Sequence, residues 1–152
     1  MQQVGRGFSW QDYEVGARYV TFGRTVTEPD IVNFIGCTGM VEVLFTDAEF
    51  RRTQSLIEGR LAPAALTYAF AEGLVLQAVA QGTGLAFLGA NLEVAKPVVA
   101  GDTITVEIEV LEVRQTSKGP HGLVKTRNVV RNQHGEPVLT YDPLRLIKSR
   151  PA

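Results

Sequence analysis

Cysteine occurs once in the 152 residues, at Cys37, so the chain closes no internal disulfide and offers no thiolate pair for a structural zinc site or a redox couple. That usage fits a reducing cytoplasm. An excess of charge of one sign is also missing. The 15 basic and 16 acidic side chains leave a formal net charge of -1, which excludes an overall field drawing the protein to nucleic acid or an anionic membrane. Any anionic ligand has to be held locally. The opening stretch from Met1 to Trp10 lacks the apolar core of a signal peptide. No apolar run approaches the roughly 20 residues that span a bilayer. No repeat, low-complexity tract or break in composition marks a second domain, so residues 1–152 read as a single soluble unit.

What is present is an ordinary globular balance, 45% hydrophobic and 20% charged, enough to fill one core. Thr27-Glu28-Pro29-Asp30 carries the start signal of a helix: a threonine cap, proline in the first turn and an acid three residues on. Ile31, Val32, Phe34 and Ile35 supply its apolar face before Gly36. Thr46-Asp47-Ala48-Glu49 repeats the capping pattern and predicts a second short helix to about Arg52, with Cys37 to Phe45 as the loop between. From Pro63 to Gln81 the chain is almost wholly apolar, which predicts a long helix wrapped on nearly all sides and interrupted by Glu72 and Gln77.

The second half alternates. Thr103 to Val110 keeps an unbroken period of two, the mark of a strand with one dry and one wet face. Further strands are expected over Leu85–Val94, Asp102–Arg114, Leu123–Gln133 and Pro137–Lys148, with another near Arg18 to Thr25. Turns fall at Gly101-Asp102 and Asn132-Gln133-His134-Gly135. The expected architecture is α+β, an antiparallel sheet of about five strands around one long buried helix, with an exposed edge strand that favours dimerisation.

The order of several short motifs resembles one family. These are Gly23-Arg24-Thr25-Val26-Thr27-Glu28, Thr38-Gly39, Thr46-Asp47-Ala48-Glu49-Phe50, Gly59-Arg60-Leu61-Ala62-Pro63, Lys96-Pro97-Val98, Gly101-Asp102 and Asn132-Gln133-His134-Gly135. From about Phe8 to Pro151 the chain is similar to the MaoC-like acyl dehydratases, which include the (R)-specific enoyl-CoA hydratases. The resemblance implies a hotdog fold, an acyl-CoA or acyl-carrier thioester as ligand, reversible addition of water across a trans-2 double bond, and no metal or redox cofactor.

The family pattern Gly-Asp-x-Asn-Pro-x-His falls on Gly39 to Phe45, where Met40 replaces the aspartate and Phe45 the histidine. Neither side chain can transfer a proton. His121 and His134 lie far along the chain and read as solvated turn residues. Two acids remain as candidates. Glu42, at the family's asparagine position, is a displaced base or a solvent-facing loop acid. Glu72 is a buried general acid or base, or the partner of an arginine at a helix edge. Asp47 reads as a cap.

Ala64 matches the position whose backbone amide meets the thioester oxygen, with Pro63 before it. Tyr68, Phe70, Phe87 and Phe45 are candidates to line an acyl tunnel. Arg24, Arg60, Lys96, Arg114, Lys118, Arg127 and Arg131 are candidate contacts to coenzyme A phosphates. Cys37, following an apolar helix, is expected to be buried. Three functions stay open: a hydratase or dehydratase using Glu42 and Glu72, a hotdog thioesterase, or a non-catalytic acyl-thioester subunit paired with an intact MaoC-like chain.

Overall fold

The computed structural model describes residues 1–152. A short 3-10 turn at Trp10–Asp12 leads to β1 (Arg18–Val20) and β2 (Arg24–Thr25), then to α1 (Glu28–Thr38), α2 (Val43–Thr46) and α3 (Ala48–Gln54). The central helix α4 (Ala64–Val75) continues as one wider π-helical stretch, Leu76–Ala80. The rest is strand: β3 (Gly84–Gly89), β4 (Leu92–Val94), β5 (Thr103–Gln115), β6 (Gly122–Arg131), β7 (Pro137–Tyr141) and β8 (Leu144–Ile147).

All eight segments belong to one sheet and occupy five strand positions. β1 and β2 both pair with β5; β6 pairs with β5 on one side and with β7 and β8 in turn on the other; β4 pairs with β7 and β3 with β8. The expected five strands are therefore present, with three of them broken in the middle. The breaks fall at Thr21-Phe22-Gly23, Ala90-Asn91 and Asp142-Pro143. Proline lacks the ladder N–H, which accounts for the last. Every resolved pairing is antiparallel, and the sheet curls around α4 as the hotdog fold requires.

Burial follows the sequence pattern. Ile104, Val106, Ile108 and Val110 alternate inward along β5 and are at most 1% exposed. From the helix side Leu66, Ala71, Val75 and Val79 meet them in a single core. Gly122 is needed where β6 passes Trp10, because a Cβ there would lie 2.3 Å from the indole ring. The indole Nε1 then donates to the Pro120 carbonyl at 2.8 Å.

Several expectations are corrected. α1 does not stop at Gly36 but runs to Thr38 and ends on Gly39, whose φ of 74° is the left-handed C-cap that glycine adopts without strain. Cys37 is exposed, not buried: Ile31 and Ile35 define the inward stripe, and a residue two positions beyond Ile35 points the other way. α3 is capped by Asp47, which accepts from the amides of Glu49 (2.9 Å) and Phe50 (3.0 Å), so Thr46 ends α2 instead of starting α3. The expected loop thus contains a helical turn. The central helix is not wrapped on all sides within one chain, since Ala65, Ala69, Leu76, Gln77 and Ala78 are exposed. No helix is long and apolar enough to cross a membrane.

Candidate functional site

At the start of α4 the backbone turns from extended at Pro63 (φ -53°, ψ 138°) into the helix. Pro63 is buried, and its carbonyl accepts from the amides of Leu66 (2.9 Å) and Thr67 (3.3 Å). The amides of Ala64 and Ala65 have no acceptor in the chain, as expected for a first helical turn. These free donors sit at the positive end of the helix dipole.

Ala64 forms part of the wall of a cavity of about 320 Å³. Phe45 closes one side from α2, Ile57 and Leu61 come from the segment before α4, and Thr67 from α4 itself. Val94 of β4, Pro97 and Val98 after it, and Val138 and Leu139 of β7 complete the enclosure. Ten of the 13 lining residues are hydrophobic, so the space favours an alkyl chain over a polar ligand. Lys96 is the one titratable side chain in the wall, and it pairs with Glu136 at the rim. Thr67, only 3% exposed, has a hydroxyl with no hydrogen-bond partner in the chain.

The residues singled out in the sequence separate in space. Phe45 and Ala64 share the cavity wall; Met40, Glu42, Pro63, Tyr68 and Glu72 are not part of it. Met40 is half-buried just after the Gly39 cap. Glu42 is exposed at the start of α2, where its carbonyl accepts from the amides of Phe45 (2.8 Å) and Thr46 (3.1 Å) while its carboxylate bonds to nothing. The Phe45 carbonyl accepts from Arg60, whose Nε also reaches both Glu28 carboxylate oxygens at 2.8 and 3.0 Å.

Glu72 lies two turns along α4 from Ala64, on the stripe shared by Ala64, Tyr68 and Glu72. It forms an ion pair with Arg145 of β8 and accepts a 2.7 Å hydrogen bond from the Tyr141 hydroxyl. The two charged side chains are 17% and 11% exposed. The Arg145 guanidinium stands 5.2 Å from the centre of the Phe87 ring, and Tyr68 meets Tyr141 edge-on at 5.0 Å. Burial first, and the Glu72 charge second, push the Tyr141 and Tyr68 hydroxyls above their ordinary range, so both stay protonated donors.

Six of the seven basic candidates are neutralised by acids: Arg24 by Asp30, Arg60 by Glu28, Lys96 by Glu136, Arg114 by Glu112, Arg127 by Asp142 and Arg131 by Glu107. Lys118 is exposed in the β5–β6 turn without an ion pair. Phe70 packs under Arg24, 4.1 Å from its guanidinium carbon, away from the cavity. His134 is exposed in its turn, whereas His121 is half-buried and its Nδ1 accepts from the Ser149 amide at 3.3 Å. No three His, Cys, Asp or Glu side chains converge as a metal site would need. Thr67 was missed by sequence reasoning, although a hydroxyl on so apolar a helix is itself a signal.

Residues 13–141 match the family model described as FAS1-like, dehydratase domain region. No curated protein sequence matches the chain. Among solved structures, the monoamine oxidase regulatory protein of Archaeoglobus fulgius superposes with a TM-score of 0.83 at 30% identity, covering 96% of this chain and 97% of that one. The (R)-hydratase PhaJ1 of Pseudomonas aeruginosa gives 0.76 at 26%, covering 95% and 88%. A MaoC-like dehydratase of Rhodospirillum rubrum gives 0.82 at 25%, covering 96% and 100%. The chain belongs to the FAS1-like dehydratase-region family, on the hotdog fold of the MaoC-like dehydratases and (R)-hydratases.

Proposed function

We propose that this chain binds an acyl thioester without carrying a proton-transfer pair of its own, and so acts as the binding subunit of a MaoC-like dehydratase. One observation carries the reading: an apolar cavity of about 320 Å³ meets the free amides of the first turn of α4 at Ala64. The alkyl chain fills the cavity and the thioester carbonyl turns to those amides, which stabilise negative charge on its oxygen. Besides Lys96, which is paired with Glu136, the Thr67 hydroxyl is the one hydrogen-bonding side chain of the wall.

Hydration of an enoyl thioester also needs a base for water and an acid for the α carbon. The wall offers no free pair, because Met40 and Phe45 stand at the dyad positions, its one titratable side chain, Lys96, is paired with Glu136, Glu42 lies outside it, and Glu72 is engaged by Arg145 and Tyr141. A partner hotdog chain bearing the aspartate and histidine would supply them. The edge formed by β3 and β4 suits such a partner: Leu85, Phe87, Leu88, Leu92 and Val94 are 41–54% exposed along it. A copy of this chain docked there would give a binding dimer, and a homologue with the intact pair a dehydratase.

Glu42 supports a second reading, since its unbonded carboxylate precedes Phe45 by three residues and is free to act as a relocated base. One experiment separates the readings. The purified chain is titrated with enoyl-CoA and saturated acyl-CoA thioesters, while loss of the conjugated double bond and release of free thiol are followed. Saturable binding without turnover is the expected result, and absence of binding would overturn it. Turnover abolished by Glu42→Gln would establish the relocated base, and free thiol would indicate a thioesterase.

A further inference from the structure

Ten ion pairs engage ten of the 15 basic side chains, and Arg51 of α3 is not among them. Its guanidinium forms no hydrogen bond in the chain, and its Nη1 is sealed from solvent with no acceptor. No other charged side chain leaves a buried nitrogen or oxygen so unmatched. A buried cationic donor without a partner costs stability, so a fold that keeps one leaves an acceptor to be brought from outside.

The position says from where. Arg51 lines a groove with Phe45, Thr46, Arg60 and Glu28, directly across Phe45 from the acyl cavity. Arg60 in that groove is already matched by Glu28, which leaves the Arg51 charge in excess. It also lines a second groove with Ser55 and Glu58, reached past Ile57, another residue of the cavity wall. Glu58 lies beyond ion-pair reach of Arg51, and the neighbouring Arg52 is paired with Glu49.

We infer that Arg51 anchors an anionic group of the ligand at the mouth of the cavity, either a phosphate of the carrier arm or a carboxylate on the acyl group. The inference rests on the reading of the cavity as an acyl-thioester site. Both anions accept a guanidinium fork, and binding at the groove turns the Arg51 side chain so that the sealed, unmatched Nη1 also meets the anion in a charge-assisted hydrogen bond. Because the free protein bears an unmet donor, losing it improves the empty fold while harming binding.

The test uses the full chain and three probes: crotonyl-CoA, crotonyl-pantetheine, which carries no phosphate, and the pantetheine half-thioester of fumarate, which carries a carboxylate. Arg51→Gln is expected to weaken one anionic probe by about tenfold or more, the strength of a charged hydrogen bond, and to leave crotonyl-pantetheine unchanged. Loss confined to crotonyl-CoA identifies the phosphate, and loss confined to the half-thioester identifies the carboxylate. Arg51→Lys should recover part of the affinity, and Arg51→Met should melt no lower than the wild type. The inference is overturned if Arg51→Gln leaves all bound probes unchanged, weakens the neutral probe equally, or lowers the melting temperature as a structural residue would. Failure of the wild type to bind any of the three removes the acyl-thioester reading itself.

Discussion

Glu72 interrupts the most apolar helix of the chain, and the fold meets its charge with Arg145 from β8 and the hydroxyl of Tyr141. The sequence shows the anomaly but not its answer, since the partners are 69 and 73 residues away. Removing one member of a largely buried pair strands the other. Glu72→Gln is therefore expected to cost about 2–3 kcal/mol, measured by chemical denaturation. Glu72→Leu combined with Arg145→Leu should cost less than either single change. An additive double mutant would argue against the pairing as the reason for the acid. Ala64→Pro addresses the other key atom. Proline is favoured at the first helical position, and Pro63 already has the extended backbone that a following proline demands. The variant should fold normally yet bind acyl thioesters about tenfold more weakly, because it lacks only the N–H assigned to the carbonyl oxygen. Unchanged affinity would remove that amide from the site.

At the level of elements, legibility depended on whether the signal was local. The cap of α1 was readable because threonine, proline and acid stand in four consecutive residues, and the structure closes the box with Thr27 and Asp30 bonding one another's amides. β5 was readable because both its faces are decided by its own alternation. Of the breaks in the sheet only the one at Pro143 has a local signal; the other two depend on which neighbour each half-strand meets. Of the cavity, Phe45, Ala64 and Lys96 stood among the sequence candidates and Leu61, Ala62, Pro97 and Val98 lie in motifs of the family pattern, whereas Thr67, Leu139 and Val94 join them through the fold. The cap also has a pH signature. Partial burial pushes the Asp30 carboxyl up, but hydrogen bonds from Thr27 and the charge and hydrogen bond of Arg24 outweigh it, leaving the group below its ordinary 3.8. A depressed carboxyl stabilises the fold above the unfolded value, and that share is lost as pH falls through the folded one. Asp30→Asn should thus lower stability at neutral pH by about 1 kcal/mol, or roughly 3 °C in melting temperature. The deficit against wild type should shrink below about pH 4. A deficit that is constant with pH would show that the charge contributes nothing.

For the molecule as a whole, the exposed side of α4 and the β3–β4 edge leave one chain with apolar surface that it does not cover itself. Val94 belongs at once to that edge and to the cavity wall, 52% exposed on one account and lining the apolar cavity on the other. A partner docked along the edge therefore fixes part of the cavity, and a chain seated in the cavity holds part of the edge in place. Two binding events that order the same residue favour one another, and the coupling is reciprocal. Leu88→Arg, which places a charge on the edge away from the cavity wall, should give a monomer by light scattering under conditions where the wild type associates. That monomer should bind acyl thioesters more weakly although every residue of the cavity is intact. The converse must hold for the wild type: because a dimer carries two sites, saturating thioester should tighten its association by the square of that affinity ratio. A monomeric variant that binds with undiminished affinity would separate the edge from the site, and catalytic partnership would then have to be sought on another surface.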